Sequence, residues 1–313
     1  MNKIALAIHG GAGTILKSEM TPALENEYRK GLENALRTGW EILQKKGSAL
    51  DAVEASVIEL ENFPLFNAGR GSVFTHEGKN EMDAAIMDGK RLKAGAIAFV
   101  KNVKNPIKLA RLVMEKTEHI LLAGEGANEF AREMKVEFES EEYFFTEHRY
   151  RQLLKAIEEG RIQLDHSSES KIQNPKSKIG TVGAVACDFR GNLAAATSTG
   201  GMTNKKFGRI GDTPIIGSGT YAENSACAIS CTGHGEYFML GVTAFDVAAR
   251  MKYKGLSLEN AANETIERLT KINGDGGFIA VDASGNVVLP FNCEGMYRGC
   301  ITNELEMKIE IYR

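Results

Sequence analysis

Residues 180–201 have the sequence GTVGAVACDFRGNLAAATSTGG, which contains the clearest β-hairpin pattern in the chain. Apart from Leu193, small and β-branched residues fill 181–187 and 193–199. The segment Asp188–Asn192 between them contains the Asp, Gly and Asn that favour turns. We therefore predict two strands joined by a turn, with a threonine at the start of the first strand and another at the end of the second.

Strands and helices follow one another on both sides of this hairpin. The apolar spacing predicts further strands over 3–8, 82–87, 93–100, 119–124, 221–233 and 276–291, the last being a hairpin that turns at Gly285. It predicts helices over 21–47 (begun by Thr21 and Pro22), 107–116, 125–134, 236–251 and 256–270. A further helix is predicted after Ser48, which can cap it, with Val53, Val57 and Leu60 on one face. Residues 9–13 (HGGAG) are predicted to form a tight turn and residues 62–72 an irregular loop.

Residues 165–179 interrupt this pattern. They contain only two aliphatic side chains and no aromatic one, so we predict a flexible linker there. Hairpins combined with paired helices favour stacked layers, with sheet packed on sheet and helices outside.

The composition excludes several classes of protein. The chain has 313 residues, of which 43% are hydrophobic and 25% charged, and its net charge is -3, typical of a globular protein. No basic stripe suited to nucleic acid is visible, and no apolar run approaches the roughly 18 residues of a membrane helix. Five cysteines without a CxxC pair predict reduced, buried thiols. Since the N-terminus lacks a signal-peptide pattern, we expect a cytoplasmic protein.

Several familiar catalytic motifs are missing. HGGAG is similar to the oxyanion loop of esterases, but no GxSxG nucleophile motif occurs. Neither GxxxxGK[ST] nor a strand followed by GxGxxG is present, which argues against phosphate or nucleotide binding. HGE at 234–236 has the HxE spacing of zinc deaminases but lacks their PCxxC partner, and the six histidines are scattered.

What remains is a set of hydroxyl side chains beside glycines at strand ends. Thr181 follows a glycine, and Thr199 and Thr232 each precede one, while Arg209 and Asp212 lie between these sites in GRIGD. Taken singly, a threonine beside a glycine most often marks a turn, and Arg209 with Asp212 would be a surface pair. Together they would supply a nucleophile, oxyanion donors and a clamp for a charged amino acid.

The order of these motifs resembles the plant-type asparaginase and isoaspartyl peptidase family of N-terminal nucleophile hydrolases. The matching stretches cover nearly the whole chain: IHGGAG (8–13), FNAGRGSVF (66–74), EMDAAIMDG (81–89), NPIKLARLVME (105–115), GTVGAVACD (180–188), TSTGGMTNK (197–205), GRIGD (208–212) and CTGHGE (231–236). The resemblance implies an α+β fold, the four-layer αββα sandwich of these hydrolases. It also implies one domain over 1–313 that cuts itself into an α-chain (1–180) and a β-chain (181–313).

Self-cleavage fits the chemistry of threonine. A threonine hydroxyl is a poor nucleophile without a base, and an α-amino group, with a pKa of about 7.7–8.0, can act as that base. An N-terminal Thr181 would carry both groups. Its hydroxyl would attack the carbonyl of Gly180, whose backbone tolerates strain, and water would hydrolyse the resulting ester.

The resemblance assigns further roles around Thr181. Thr199 and Thr232 would flank its hydroxyl and amine. The Thr232 hydroxyl and the Gly233 N–H would form the oxyanion hole, with the amide of Asn67 contributing to the same region.

Substrate binding follows from the same resemblance. Arg209 would hold the α-carboxylate of the substrate with its planar fork. Asp212 would hold the α-ammonium, assisted by the Gly235 carbonyl, with Gly233 beside the substrate. The family implies L-asparagine and β-aspartyl dipeptides as substrates, aspartate as product, no organic cofactor, no nucleic-acid or membrane partner, and a homodimer of cleaved units.

The loop over 60–70 resembles the sodium-binding loop of the family. Backbone carbonyls would be the ligands, from Leu60, Glu61, Phe63, Phe66, Ala68 and Arg70. The alternative is a helix C-terminus without an ion. For His9 the alternatives are a tight turn under the sheet or a loop near the cleavage site, without a catalytic role in either case.

Other functions stay open from the sequence. Glycosylasparaginases and threonine endopeptidases of the same superfamily have Asp before the nucleophile, whereas this chain has Gly180. A binding protein that kept the fold but lost activity is a third alternative.

Overall fold

The computed structural model describes residues 3–13, 15–160 and 180–313. The predicted linker over 165–179 lies outside the described residues. The described helices are α1 (Pro22–Gln44), α2 (Ala49–Asn62), α3 (Pro106–Lys116), α4 (Gly124–Glu133), α5 (Glu141–Phe144), α6 (Glu147–Glu158), α7 (Gly235–Gly241), α8 (Thr243–Lys254) and α9 (Leu258–Lys271). The described strands are β1 (Ala5–Gly13), β2 (Met82–Asp88), β3 (Lys93–Val100), β4 (Leu121–Ala123), β5 (Val182–Cys187), β6 (Leu193–Thr199), β7 (Thr220–Ala222), β8 (Cys227–Gly233), β9 (Gly276–Asp282), β10 (Val287–Val288), β11 (Gly295–Thr302) and β12 (Lys308–Tyr312).

The first two helices begin at the caps predicted for them. The Thr21 hydroxyl accepts the backbone N–H of Leu24 at 3.2 Å, and Pro22 occupies the first helical position. The Ser48 hydroxyl accepts the N–H of Asp51 at 3.1 Å. Each cap satisfies a donor that the first helical turn leaves free.

The strands form two sheets. The larger sheet has the order β12-β11-β1-β5-β6-β2-β3-β4, and the smaller sheet has the order β10-β9-β8-β7. Only β3 and β4 pair in parallel; the other described pairs are antiparallel. The predicted hairpin of β5 and β6 is confirmed and lies in the middle of the larger sheet.

The two sheets stack face to face with helices outside each. Side-chain alternation in β1 shows why: Leu6 and Ile8 pack in the core beneath α1 and α2, while Ala5 and Ala7 face the smaller sheet. Alanine at the inner positions lets two sheets approach closely. On the other side α8 and α9 cover the smaller sheet. The fold is therefore the predicted four-layer αββα sandwich.

Three local predictions are wrong. HGGAG is part of β1, which continues to Gly13 with a bulge between His9 and Gly11. The segment predicted as one strand over 221–233 forms β7 and β8, because Glu223 and Cys227 close a turn between them.

The third error is the single helix predicted over 236–251. It is broken at Val242, which has left-handed angles (φ 47°, ψ 48°). The first N–H groups of α8 bond instead to a neighbouring loop: Ala244 N–H to the Ser218 carbonyl at 3.1 Å, and Phe245 N–H to the Gly217 carbonyl at 2.8 Å. Tertiary partners for these donors make the break favourable.

Candidate active site

The pleat of β5 and β6 brings Thr181 and Thr199 together. The two strands pair antiparallel with Val182 opposite Ser198, so Thr181 lies across from Thr199. Ser198 points the other way, and its hydroxyl donates to Glu61 of α2 at 2.7 Å. Because side chains alternate along a strand, Thr199 faces the smaller sheet.

The hydroxyls of these two threonines are within hydrogen-bond distance. Thr181 Oγ1 donates to Thr199 Oγ1 at 3.2 Å. Thr199 Oγ1 also accepts the Gly201 N–H at 3.0 Å and lies 3.4 Å from the Gly180 carbonyl. Both side chains are buried, so the Gly180–Thr181 peptide bond and the two hydroxyls share a space largely shielded from water.

Thr232 reaches the same interface from the smaller sheet. It lies on β8 two residues after Ser230, so both side chains point towards the larger sheet. The bulge in β1 turns Ala12 towards it, and Thr232 Oγ1 accepts the Ala12 N–H at 3.2 Å. This bond leaves the Thr232 hydroxyl proton free to donate elsewhere. The neighbouring Gly233 ends β8 against Phe238, where an added Cβ would lie 2.1 Å from the ring.

Asn67 braces the turn that follows Thr199. Its Nδ2 donates to the Gly201 carbonyl at 2.8 Å, its Oδ1 accepts the Val73 N–H at 3.0 Å, and its own carbonyl accepts the Gly200 N–H at 3.1 Å. One N–H of its amide remains beyond these bonds. An oxyanion role for that N–H stays a prediction.

Arg209 is paired with a carboxylate that the sequence analysis did not assign. Its Nε and Nη2 each donate to Glu236, to Oε1 and Oε2 respectively, at 2.8 Å. His234 Nε2 also lies 3.3 Å from Glu236 Oε2. Burial would raise the pKa of Glu236, but the bonds from His234 and Arg209 outweigh it and hold that pKa well below its usual range. No spacing rule relates Glu236 to Arg209, so the sequence gives no signal for this pair.

Arg209 keeps a second edge of its guanidinium for another partner. Glu236 occupies the Nε/Nη2 edge, which leaves Nη1 and the outer proton of Nη2. Nη1 lies 3.1 Å from where a Cβ of Gly211 would be and 3.6 Å from the corresponding position at Gly201. The free edge therefore faces a space bordered by glycines.

Asp212 is buried, and one of its oxygens lacks a partner. Asp212 Oδ2 makes no hydrogen bond among the described residues. Burial raises the pKa of Asp212 to about 7, although the charge of Arg209 opposes the rise. A buried carboxyl oxygen without a donor is costly and indicates a missing cationic or donor group.

Gly235 lies between the two charged side chains. A Cβ on Gly235 would lie 2.9 Å from Asp212 Oδ1 and 3.0 Å from Arg209 Nη2. The cation and the carboxyl group thus converge on one side-chain-sized space. A small molecule with a carboxylate and an ammonium on one carbon has the charges to occupy it.

A second buried charge lies beneath the turn after Thr199. Lys205 is almost fully buried; its Nζ donates to the Glu81 carbonyl at 2.8 Å and lies 3.1 Å from the Cβ position of Gly201. Burial lowers its pKa, while the charge of Asp83, which pairs opposite Thr199, opposes the change. Lys205 and Arg209 thus lie on the same side of the site, each beside an acidic residue. Neither Lys205 nor Asp83 was assigned from the sequence.

His9 contacts the main chain of Thr181 directly. Its Nδ1 is 2.9 Å from the Thr181 carbonyl oxygen and its Nε2 is 2.8 Å from Ser230 Oγ. The ring is fully buried, and burial lowers its pKa to about 3. His9 is therefore neutral at physiological pH and holds the main chain of Thr181.

The loop over 60–70 is tightly folded around two glycines. A Cβ at Gly69 would lie 2.5 Å from the Glu61 carbonyl oxygen, and one at Gly71 would lie 2.0 Å from the Phe66 carbonyl oxygen. Four of the six predicted ligand carbonyls accept N–H groups within the loop, namely those of Leu60, Phe63, Phe66 and Ala68, whereas no described N–H is bonded to the carbonyls of Glu61 and Arg70. Backbone oxygens without donors fit a hard cation such as sodium.

Comparison with known proteins identifies the family. The family model described as asparaginase matches residues 2–311. The chain belongs to this asparaginase family.

Relatives with similar sequences span nearly the whole length of the chain. The isoaspartyl peptidase of Escherichia coli K12 is 52% identical, with 95% of this chain and 92% of that protein aligned. The putative isoaspartyl peptidase/L-asparaginase of Dictyostelium discoideum is 50% identical over 96% and 93% of the two chains. The isoaspartyl peptidase/L-asparaginase of Xenopus laevis is 42% identical over 99% and 96%. In the part of this asparaginase-family chain that the structure describes, none of the helices has the length and apolar character of a membrane span.

Proposed function

We propose that the chain is a self-processing threonine hydrolase that cleaves β-aspartyl dipeptides and L-asparagine and releases aspartate. Family membership and the names of its relatives support this activity. The observation that carries it is the meeting of Thr181 with Thr199 at the end of the hairpin, beside the glycine-bordered clamp of Arg209 and Asp212.

Self-cleavage would begin with the Thr181 hydroxyl. Its oxygen attacks the carbonyl carbon of Gly180, the C–N bond to Thr181 breaks, and the amine takes up the proton that the hydroxyl releases. Water then hydrolyses the ester, leaving a carboxylate on Gly180 and a free hydroxyl on Thr181. Thr199, which lies within hydrogen-bond distance of both the Thr181 hydroxyl and the Gly180 carbonyl, is placed to assist.

Substrate hydrolysis would repeat the same chemistry on a bound ligand. The freed amine of Thr181 accepts its hydroxyl proton while the oxygen attacks the β-carbonyl of the substrate. The leaving amine departs with a proton, and water hydrolyses the β-aspartyl ester to aspartate. The Thr232 hydroxyl and the Gly233 N–H would stabilise the oxyanion in both steps, and loss of one such donor costs about 10²–10³-fold in rate.

The clamp would select a free amino-acid head. The outer edge of Arg209 binds the α-carboxylate, and Asp212 Oδ2 accepts from the α-ammonium, which satisfies that buried oxygen. An internal α-peptide bond has no such head. Arg209→Ala should therefore raise KM for L-asparagine and β-Asp-Leu strongly, and unchanged kinetics would remove Arg209 from this role.

The test of the proposed function is Thr181→Ala. Wild-type protein should separate on a denaturing gel into chains of about 19.6 and 14.5 kDa, in proportion to 180 and 133 of the 313 residues in 34.1 kDa. N-terminal sequencing of the smaller chain should give TVGAV. The Thr181→Ala protein should stay uncut and inactive on both substrates. A wild-type chain that stays at full length and retains activity would contradict this mechanism, and a cut but inactive one would indicate a binding protein.

We also propose a structural sodium ion in the 60–70 loop, a homodimer of cleaved units and a cytoplasmic location. The Glu61 and Arg70 carbonyls without described donors support the ion, because hard cations take backbone oxygens as ligands. Replacing Na⁺ by choline should lower Tm, and light scattering should give twice the mass of one unit. All five cysteines are free and buried, as suits a reducing compartment.

A further inference from the structure

Four fully buried polar side chains form a continuous row of hydrogen bonds that ends at the main chain of Thr181. The row runs from Thr220 on β7 through Thr197 on β6 and Ser230 on β8 to His9 on β1. The three side-chain contacts measure 2.7, 2.7 and 2.8 Å. None of the four residues is exposed to solvent.

The Thr181 carbonyl at one end of the row determines which atom donates in each hydrogen bond. The Thr181 carbonyl can only accept, so His9 Nδ1 carries the ring proton. A neutral imidazole has one ring proton, so Nε2 must accept from the Ser230 hydroxyl. Ser230 has then used its proton and accepts from Thr197, which in turn accepts from Thr220. Thr220 Oγ1 also lies 3.1 Å from the Thr213 carbonyl, a second acceptor that is farther away than Thr197 Oγ1.

The geometry of β1 and β5 explains why a side chain, rather than a backbone N–H, donates to the Thr181 carbonyl. The ladder between β1 and β5 ends at the pair His9–Gly183, because the bulge after His9 turns β1 away. The carbonyl of Thr181 lies beyond the last pair, and the imidazole of His9 supplies the donor that the strand does not.

Gly183 shows that the fold makes room for this row. A Cβ on Gly183 would lie 2.0 Å from Ser230 Oγ and 2.5 Å from His9 Nε2. The contact between Ser230 and His9 therefore passes directly over the Cα of Gly183. Only glycine permits it, which accounts for the second glycine of GTVGAV.

We propose that His9, held in place by the hydrogen-bonded row of Ser230, Thr197 and Thr220, is a positioning residue for the nucleophile Thr181. The inference rests on the proposed role of Thr181. Once the Gly180–Thr181 bond is cut, no preceding residue holds the main chain of Thr181. The bond from His9 then fixes the carbonyl next to its Cα, and so limits the rotation that would separate amine, hydroxyl and substrate.

The experiment compares mature, fully cleaved wild type with Ser230→Ala. The variant removes the donor to His9 Nε2 but leaves the clamp of Arg209 and Asp212 untouched. We expect kcat for L-asparagine to fall about 10- to 100-fold, because reactive groups lose their alignment, with KM changed less than about twofold. Nitrogen NMR of labelled histidine should show the Nδ1–H tautomer of His9 in both proteins and a shifted Nε2 resonance in the variant, because Nε2 has lost its hydrogen-bond donor; a loss of stability alone would not produce that shift.

A second pair of variants covers the case in which Ser230→Ala does not fold. Thr197→Val keeps the side-chain shape without the hydroxyl, and Thr220 can then donate to the Thr213 carbonyl. Thr197→Ser keeps the hydroxyl. We expect a reduced kcat for the valine variant and near wild-type kcat for the serine variant.

Wild-type kcat in Ser230→Ala, or in Thr197→Val, would overturn the positioning role. That result would leave the nucleophile itself in place, because Thr181→Ala tests it separately. Equal losses in Thr197→Val and Thr197→Ser would also contradict the inference, since the hydroxyl would then not be the group that matters.

Discussion

Gly235→Ala places a methyl group where the substrate head is proposed to bind. The new Cβ would lie 2.9 Å from Asp212 Oδ1 and 3.0 Å from Arg209 Nη2, whereas ordinary van der Waals contacts are 3.4–4 Å. Both groups must therefore retreat by about half an ångström. Such a displacement should cost about one charge-assisted hydrogen bond to the substrate, roughly 1.5–3 kcal/mol. That energy corresponds to a loss of about 10- to 150-fold in kcat/KM, since 1.4 kcal/mol is tenfold.

The same substitution should lower Tm only modestly, because the new Cβ meets two side-chain ends and one backbone atom, the N of Asp212 at 3.0 Å. Gly235 is the first residue of α7, where alanine favours the helix more than glycine does. Hydrolysis of L-asparagine and of β-Asp-Leu is measured beside thermal unfolding. Gly126→Ala in α4 is the matched control, because its added Cβ meets nothing within 4 Å. If Gly235→Ala keeps the wild-type KM and Tm, the substrate head does not lie between Arg209 and Asp212.

Three further predictions follow from the same geometry. Glu236→Gln replaces an acceptor of Arg209 by an amide, so KM for L-asparagine should rise about tenfold with kcat little changed; a KM equal to that of a Glu223→Gln control, a residue paired with Lys252, would contradict this. The pKa of Asp212 is raised from 3.8 to about 7, so the folded protein binds that proton more tightly than the unfolded chain and loses stability as pH rises between about 4 and 7. Asp212→Asn should therefore raise Tm more at pH 8 than at pH 5, and the KM of wild type should increase as pH falls below about 7. An equal Tm gain at both pH values would refute the assignment. Gly183→Ala should lower the free energy of unfolding by about 1–3 kcal/mol or more through overpacking, measured by urea denaturation, and an unchanged midpoint would show that Ser230 and His9 can move apart.

The hairpin and its threonines could be predicted because they depend on local rules. Alternation places Thr181 and Thr199 on one face of β5 and β6 once the hairpin is recognised, and the structure confirms both strands. The caps at Thr21 and Ser48 follow from similarly local chemistry. Such patterns need only the residues within a few positions of one another.

The errors occur where distant segments compete for backbone donors. Helix 236–251 has an unbroken apolar spacing, but the carbonyls of the 217–218 loop accept the N–H groups that start α8. HGGAG contains the glycines of a turn, yet pairing with β11 keeps it in the sheet to Gly13. No local propensity includes these partners, and they outweigh it.

The sequence by itself determined the αββα class, the three threonines and the acidic and basic pair that define the candidate site. It did so through periodicity, through residue types and through the order of motifs that resembles one family. Tertiary structure alone decided that Glu236 occupies one edge of Arg209, that Asp212 keeps an oxygen without a donor, and that His9 holds the Thr181 carbonyl. These contacts join residues up to 172 positions apart. They depend on how two sheets stack and where β1 bulges, and these are properties of packing between strands rather than of any one stretch of chain.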